Sequence, residues 1–573
     1  MTGMKQTLMK ALSEAVEPLG IDASSIRLEY PEDPSHGDFS SNIAMANAKK
    51  LGMAPKVLAE KVIAAFDDVK PSFIESVSIA GPGFINFKVK DSFFAQSIAG
   101  IVENGAEYGW GSGDRGRKIM VEYTDPNTFK VFHIGHLMSN AIGESLSRLI
   151  EASGAKVVRI CYPSDIGLHI AKSIWAIQKH EDEIPSDSAS IQERTAFLGK
   201  MYVEGTQKYE ADPAAKDDID ALNKVIYAKS SRTVNALYEK GRKWSLDHFE
   251  LLYKTLGTKF DGFIYESDMA PKGLEIVRSH IGKVFEESEG AVVFKGEQYG
   301  LHTRVFINSL GLPTYEAKEV GLNVTKFQQH PDADSSIIVT ASEQNDYFKV
   351  LLKVLALIDE KNREKTKRHI GHGMMRFASG KMSSRTGNVI TAESLLADIK
   401  AMVAEKIVGR EFTAAEADEV SEMIAVAAIK YTILRSAVGS DIIFDSSASI
   451  SFEGDSGPYL QYSAVRANSV LEKAKAEISV DSKIILPENT GLLERLISRF
   501  PEVLERARAE YAPQHVAHYL TDLAGAFNSF YASTSIIDKD EPLSPYRIAI
   551  TKAFLTTMTN GLWVLGIKVP RKM

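Results

Sequence analysis

KIMVEYTDPNTFKVFHIGHLMSNAIGESL, residues 118–146, decides how the rest of the chain is read. KIMVEYT (118–124) is a short run of buried-strand type, and beyond a polar loop an apolar pattern at helical spacing begins near His133. AKVVRICY (155–162) supplies a second strand. Strand, helix and strand in that order are the signature of a parallel sheet. At the mouth of the helix stand His133, Gly135 and His136, with Lys130 three residues upstream. A helix N-terminus carries unpaired N–H groups and a partial positive charge, so it draws anions. Two imidazoles and an ammonium extend that preference, and Gly135, lacking a Cβ, leaves room for a flat ring against the backbone. The constellation reads as a cradle for a nucleotide and its phosphates. Metal ligation loses because no third His or Cys sits at a supporting spacing.

Outward from that stretch, residues 1–110 alternate helical patterns with short strands. MTGMKQTLMKALSEAV is an amphipathic helix, and SVSIAGPGFINFKV shows strand alternation broken by Gly-Pro-Gly. GWGSGDRGRK (109–118) has the composition of a linker. Residues 170–290 are largely helical and charged, as an insertion would be. TRVFINSLGLPTYEAKEVGL and SSIIVTASEQNDYFKVLLKVLALI then restore the strand–helix rhythm. From about residue 420 the spacing is helical almost to the end, with SKIILPEN as a strand-like interruption.

The 573 residues are too many for one core. Hydrophobic and charged contents of 44% and 25% are ordinary for a soluble protein, and no run of eighteen apolar residues or signal-type h-region occurs. The single Cys161 excludes an intramolecular disulfide and a cysteine-rich zinc site, so a cytoplasmic protein with no membrane association is expected. A net charge of −8 argues against a generic polyanion binder but leaves room for local basic faces.

SGKMSSRTGNVI (379–390) is a polar, Gly-bounded loop carrying Lys381 and Arg385. Together, H-I-G-H after the first strand and K-M-S-S-R after the last resemble the two signatures of class I aminoacyl-tRNA synthetases. The flanks narrow the resemblance to the arginyl-tRNA synthetases. VEYTDPNTFKVFHIGHL is similar to that family's VEYSSPN…KPFHVGHL, YPSDIGLHI to its GDWGxQ segment and ASEQNDYFK to its xEQxxHF. GHGMM…GKMSSRTGN resembles GM…KMSTRKGN, SGPYLQYSAVRANSVL resembles TGPYxQYAxAR, and PGFINFKV and LGIKVPRKM resemble the family's N-terminal domain and closing pattern. The likeness runs from about residue 25 to the last. Departures are Ser384 where most class I enzymes carry lysine, Ile166 for Trp, His169 for Gln and Glu319 for Asp. Many arginyl enzymes share the first departure and carry a lysine just before the first signature, where Lys130 stands.

The resemblance implies a multidomain α/β protein. Its parts would be a small α+β N-terminal domain (1–110) that recognises the tRNA D-arm, a Rossmann-type parallel-sheet catalytic domain (111–440) with a mainly helical insertion near 175–300, and an all-α anticodon-binding domain (441–573). It implies ATP-dependent ligation of L-arginine to tRNA(Arg) through an adenylate, by a monomer, with Mg²⁺ riding on the ATP and no structural metal. Lys130, His133, His136 and Lys381 would serve the chemistry, with Gly135, Met374, Met382, Ser383 and Arg385 against the nucleotide. Glu122, Asn127, Tyr315, Glu319 and Gln344 would form the arginine pocket. Phe84 and Asn86 would meet the D-arm, and Tyr459, Gln461 and Tyr531 the anticodon side.

The residues carry part of this unaided. Guanidinium recognition calls for carboxylates in planar, bidentate geometry. Glu122 is a charged end to an apolar strand, at the edge where open parallel sheets place ligands, and Tyr315 and Glu319 share a face if TYEAKEVG is helical. Two alternatives are a class I synthetase or nucleotidyltransferase for another small acid, and a non-catalytic tRNA-binding paralogue. The chain's length and SGPYLQY speak against a short nucleotidyltransferase, and the presence of His133, His136, Lys381 and Glu122 against the paralogue.

Overall fold

The computed structural model describes residues 3–31, 33–377, 390–477 and 484–573. The chain divides into two compact units, one of residues 1–109, 466–505 and 522–560, the other of 110–465, 506–521 and 561–573. In the first unit, β1 (Phe39–Ser41), β2 (Ile74–Ala80) and β3 (Phe84–Val89) form an antiparallel sheet in the order β1-β3-β2. The amphipathic helix Met4–Val16 and the helix Pro55–Asp67 contribute Leu8, Leu12, Val62 and Phe66 to one core with Ile85 and Phe87 of the sheet. Arg495 binds Asp38 and Asp91 at 2.8 Å each, so a single guanidinium ties this small domain to a C-terminal helix of the same unit.

The second unit holds a five-stranded parallel sheet. The chain lays down β4 (Lys118–Tyr123), β5 (Lys156–Cys161) and the short β6 (Gly262–Phe263). A separate antiparallel sheet follows, of β7 (Glu286–Ser288), β8 (Ala291–Phe294) and β9 (Arg304–Ile307). β10 (Ser335–Ala341) and β11 (Thr366–His372) then complete the parallel sheet in the order β11-β10-β4-β5-β6. β12 (Met375–Phe377) and β13 (Ile442–Phe444) form a parallel pair of their own. Thus TRVFI is a strand, but it belongs to the antiparallel sheet, because alternation reports a pleat without naming its partner. Residues 484–489 of SKIILPEN carry no strand, and IIF (442–444) is one that the helical reading of that region passed over.

β4 is central and its residues Ile119–Tyr123 are buried, as an apolar strand covered on both faces must be. The helix Ile134–Ala152 packs on it through the face that carries Ser139 and Gly143, and its Leu137, Met138, Ala141, Ile142 and Leu146 are buried. Each of the buried Leu, Ile and Met side chains contributes on the order of 1.5–3 kcal/mol by leaving water. Gly143 sets the approach of helix to strand: a Cβ there would lie 2.2 Å from Tyr123 Cγ. From β4 the chain steps to β5 and β6 on one side and returns through β10 on the other. The crevice beyond the carboxyl ends of β4 and β10 is therefore the switch point at which ligands bind in such sheets.

Candidate active site

The loop leaving β4 is strained. Thr124, Asp125 and Phe129 have φ of 81°, 42° and 63°, left-handed values rare outside glycine. The surroundings hold them there. Thr124 N–H donates to Ser139 Oγ at 2.9 Å and Phe129 N–H to Ser245 Oγ at 2.9 Å. The Phe129 ring fills the space over Gly241, where a Cβ would come within 2.3 Å of it. This bend delivers His133 to the start of the helix with its side chain as the cap, Nδ1 accepting from Gly135 N–H at 3.1 Å. The His133 and His136 rings stack at 3.7 Å between centroids. A Cβ on residue 135 would stand 3.0 Å from the His133 ring, so the glycine serves its neighbour's cap whatever else it admits.

The two imidazoles are not the cations that helix-mouth reasoning implies. Burial pushes His136 well below the usual 6.5, helped by His133 and Lys130, and burial followed by Lys130 lowers His133. Both are neutral near pH 7, and they present hydrogen-bonding nitrogens in place of charge. His136 Nδ1 is buried with no partner among the described residues. Lys130 supplies the local positive charge, its Nζ 4.7 Å from the Tyr202 ring centroid. Lys381, Met382, Ser383 and Arg385 lie outside the described residues. Beyond them, Thr391 forms an antiparallel bridge with His133, and Ala392 N–H donates to Phe132 O at 2.8 Å, so the chain re-enters beside the first signature. Met374, between β11 and β12, is 40% exposed, and its N–H is held by Asp441 Oδ1 at 2.9 Å.

Deeper in the crevice the charges change sign. Glu122, at the end of β4, is 1% exposed, and its Oε2 lies 2.6 Å from Lys326 Nζ, which is fully buried. The carboxylate assigned from sequence to a guanidinium is thus already occupied by an internal ammonium. Asp125 and Glu319 sit close to Glu122 with no ammonium of their own. Burial first and Glu122 second push both carboxyls well above the ordinary range. Asp125 Oδ1 accepts from Tyr162 N–H at 2.7 Å, and Glu319 Oε2 from Asn323 Nδ2 at 3.3 Å. A second buried pair, Lys318 with Glu266 at 2.5 Å, lies under Tyr315, whose ring centroid is 4.5 Å from the same Nζ. Tyr315 is 55% exposed and begins the helix Tyr315–Gln329, so it and Glu319 do share a helical face. Asn127 bridges to Ser164, and Gln344 is exposed in the turn before the helix Asn345–Ile358.

The cluster therefore combines four carboxyls with two ammoniums, so two carboxyls have no internal cation to pair with and an incoming cation would favour their ionisation. Sequence reasoning missed Asp125, Glu266, Lys318 and Lys326. Asp125 is inside the stretch quoted first, in the segment read there only as a polar loop. Lys326 follows Glu319 by seven residues, a helical repeat that could have drawn notice. Of the departures, Ile166 is core, and His169 is buried with Nε2 3.2 Å from Ser164 O, kept neutral by burial and Lys130. A cavity of about 760 Å³, lined by Tyr227, Lys229, Phe263, Met269 and Pro313 among others, takes in none of the nucleotide or arginine residues expected from sequence.

Residues 97–446 match the catalytic-domain profile of the class I (R) tRNA synthetases, residues 3–89 an arginyl tRNA synthetase N-terminal domain and residues 460–573 a DALR anticodon binding domain. The chain belongs to the class I arginyl-tRNA synthetase family. Relatives in it include the arginine–tRNA ligase of Borrelia hermsii (strain HS1 / DAH), 30% identical over 590 residues, covering 100% of this chain and 99% of that one. The arginine–tRNA ligase of Clostridium beijerinckii (strain ATCC 51743 / NCIMB 8052) is 30% identical over 574 residues, covering 99% and 100%. In fold, the chain is similar to the Thermus thermophilus arginyl-tRNA synthetase, with a TM-score of 0.80 at 22% identity over the whole of both chains.

The synthetase's five expected tRNA residues divide by exposure. Phe84 and Tyr531 are 38% and 41% exposed, the latter with the Arg466 guanidinium 4.9 Å from its ring centroid. Tyr459 is half-buried. Asn86 and Gln461 correct the sequence reading. Asn86 is buried in the middle of β3, Oδ1 accepting from Ser40 Oγ at 2.8 Å, and Gln461 is fully buried with Nε2 donating to Lys568 O at 2.6 Å. Both side chains are buried, which sets them apart from the exposed rings of Phe84 and Tyr531.

Proposed function

We propose that the chain ligates L-arginine to tRNA(Arg) through an arginyl-adenylate, drawing on ATP. The observation that carries this reading is the pairing of two unlike halves in one crevice. A helix mouth with Lys130 and two neutral imidazoles ends the same stretch, 122–136, that begins with Glu122 and Asp125 of a cluster holding more carboxyls than Lys318 and Lys326 can pair. The attacking carboxylate of arginine is ionised near neutral pH, so activation needs no general base. What the chain must provide is in-line positioning and stabilisation of charge growing on the α-phosphate oxygens. His133 and His136 donate N–H groups there, and Lys130 and Lys381 add charge. Mg²⁺ bound to the triphosphate would supply further screening of its negative charge. Asp125 and Glu319 receive the guanidinium, with Asn127, Tyr315 and Gln344 around them, and Glu122 acts through Lys326.

The adenylate then passes arginine to the 3′-terminal ribose of the tRNA, at the 2′-hydroxyl by class I habit. Phe84 supports D-arm stacking and Tyr531 anticodon-side contact, since exposed aromatic rings stack on bases. The boundaries 1–110, 111–440 and 441–573, a monomeric state and a cytoplasmic location belong to the same proposal; no helix of the described residues is long and apolar enough to cross a membrane. Arginine-dependent ATP–pyrophosphate exchange, with and without tRNA, tests it. Exchange with arginine and not with leucine or cysteine is expected; exchange with another amino acid instead would remove the pocket assignment.

A further inference from the structure

Two tyrosines near the carboxyl cluster have no part in the account so far. Tyr162 directly follows β5, and Tyr347 lies in the first turn of the helix that follows β10. They thus stand at the carboxyl ends of the two strands flanking β4, whose own end carries Glu122 and Asp125. Tyr162 is 5% exposed and Tyr347 7%, and neither hydroxyl has a hydrogen-bond partner among the described residues. Their bodies are fixed. Tyr162 N–H is bonded to Asp125 Oδ1 at 2.7 Å. Tyr347 packs edge-on against Phe348 at 5.0 Å, with the Arg304 guanidinium 5.8 Å from its ring centroid. Burial, then Glu266 and Glu319, push the Tyr162 phenol well up; burial, then Glu319 and Glu316, do the same to Tyr347. Both hydroxyls are therefore protonated and sit among carboxyls.

A buried hydroxyl without a partner destabilises the fold that contains it, so its persistence asks for a use outside the folded chain's own needs. The guanidinium group supplies one. It carries five N–H donors and no acceptor, and with Glu122 held by Lys326 the carboxyls left for it are Asp125 and Glu319. We infer that Tyr162 and Tyr347 are specificity-determining residues, each turning its O–H toward a pocket carboxyl and offering its oxygen to a guanidinium N–H. Resting on the arginine reading above, this makes the pocket a counter of donors as well as of charge. An analogue that keeps the charge but loses an N–H, such as Nω-methylarginine, leaves a hydroxyl stranded.

The test is exchange kinetics, with tRNA present, for wild type, Tyr162→Phe and Tyr347→Phe, on arginine and on Nω-methylarginine, with the Tm of each apo protein. Each Phe variant is expected to raise the arginine KM about tenfold, with kcat and the ATP KM within about twofold of wild type. Its preference for arginine over Nω-methylarginine should shrink by a similar factor. Its apo Tm should equal or exceed that of wild type, because the change removes a polar group that had no partner. The inference is overturned if both variants keep the arginine KM and the preference, if the ATP KM rises in step, or if either variant loses Tm or fails to fold. Absence of arginine-dependent exchange in wild type would instead remove the functional reading, and this inference with it.

Discussion

The two halves of the crevice were desolvated by one fold with opposite consequences. At the helix mouth, burial lowers His133 and His136 into their neutral state, which is a state they can use: a neutral imidazole still donates an N–H to a phosphate oxygen. In the acidic half, burial raises Asp125 and Glu319 toward their neutral state, which cannot hold a guanidinium as a charge partner. Glu122 is secured by Lys326 and Glu266 by Lys318. On the function proposed above, the nucleotide half would be ready before its ligand arrives, whereas the arginine half would be completed by its ligand, whose positive charge restores ionisation. The difference teaches that burial does not stabilise charge sites as such; it poises them, and whether that helps depends on which protonation state the chemistry uses.

The largest effect expected is on stability. Lys326→Met strands a buried carboxylate and should cost about 3–5 kcal/mol in denaturant unfolding, with most of it restored in Lys326→Met/Glu122→Gln. If the single variant is as stable as wild type, Glu122 is not a secured member of the acidic half. Next, His136→Ala removes a donor aimed at the reacting phosphate and should lower kcat of exchange by roughly 10²–10³ while the arginine Kd, by calorimetry, stays put. Glu319→Gln should do the reverse, raising the arginine KM about 10–100-fold, since a charged hydrogen bond is worth about 1.5–3 kcal/mol. Its apo Tm should hold or rise, because a half-buried carboxyl with a raised pKa is lost without loss of a salt bridge.

A pH series sharpens the same contrast. A raised carboxyl takes up its proton above the ordinary 3.8 or 4.5, so the arginine KM should climb as pH falls through that raised window. Histidines lowered below 6.5 stay neutral from about pH 8 down to that value, so the ATP KM should be flat over the same span. The stability signs are opposite too. The carboxyls favour the apo fold more as pH falls, and the buried histidines favour it less once pH drops below 6.5, where the unfolded chain protonates first. The smallest effect should be that of Gly135→Ala, a loss of a few-fold in exchange, because the new Cβ presses on the His133 cap at 3.0 Å and the ring can shift.

Much of this was legible along the chain. KIMVEYT and AKVVRICY are strands because unbroken apolar runs between turns have few other fates, and the helix starts at His133 where its apolar spacing does. The placement of TRVFI in a separate sheet was not legible, since pairing is a tertiary choice. Nor was the Glu122–Lys326 pair, whose members are 204 residues apart. Asn86 and Gln461 were expected at RNA through the resemblance alone, and their burial is set by tertiary packing that the sequence does not display. The neutrality of the histidines likewise depends on what the fold packs around them.

The most direct measurement is the proton count on arginine binding, by titration calorimetry at one acidic pH in two buffers of different ionisation enthalpy. Completion of the acidic half by its ligand requires net proton release, smaller in Glu319→Gln, where Asp125 alone is left to release a proton. Arginine binding with no proton exchange, or with proton uptake, would contradict it.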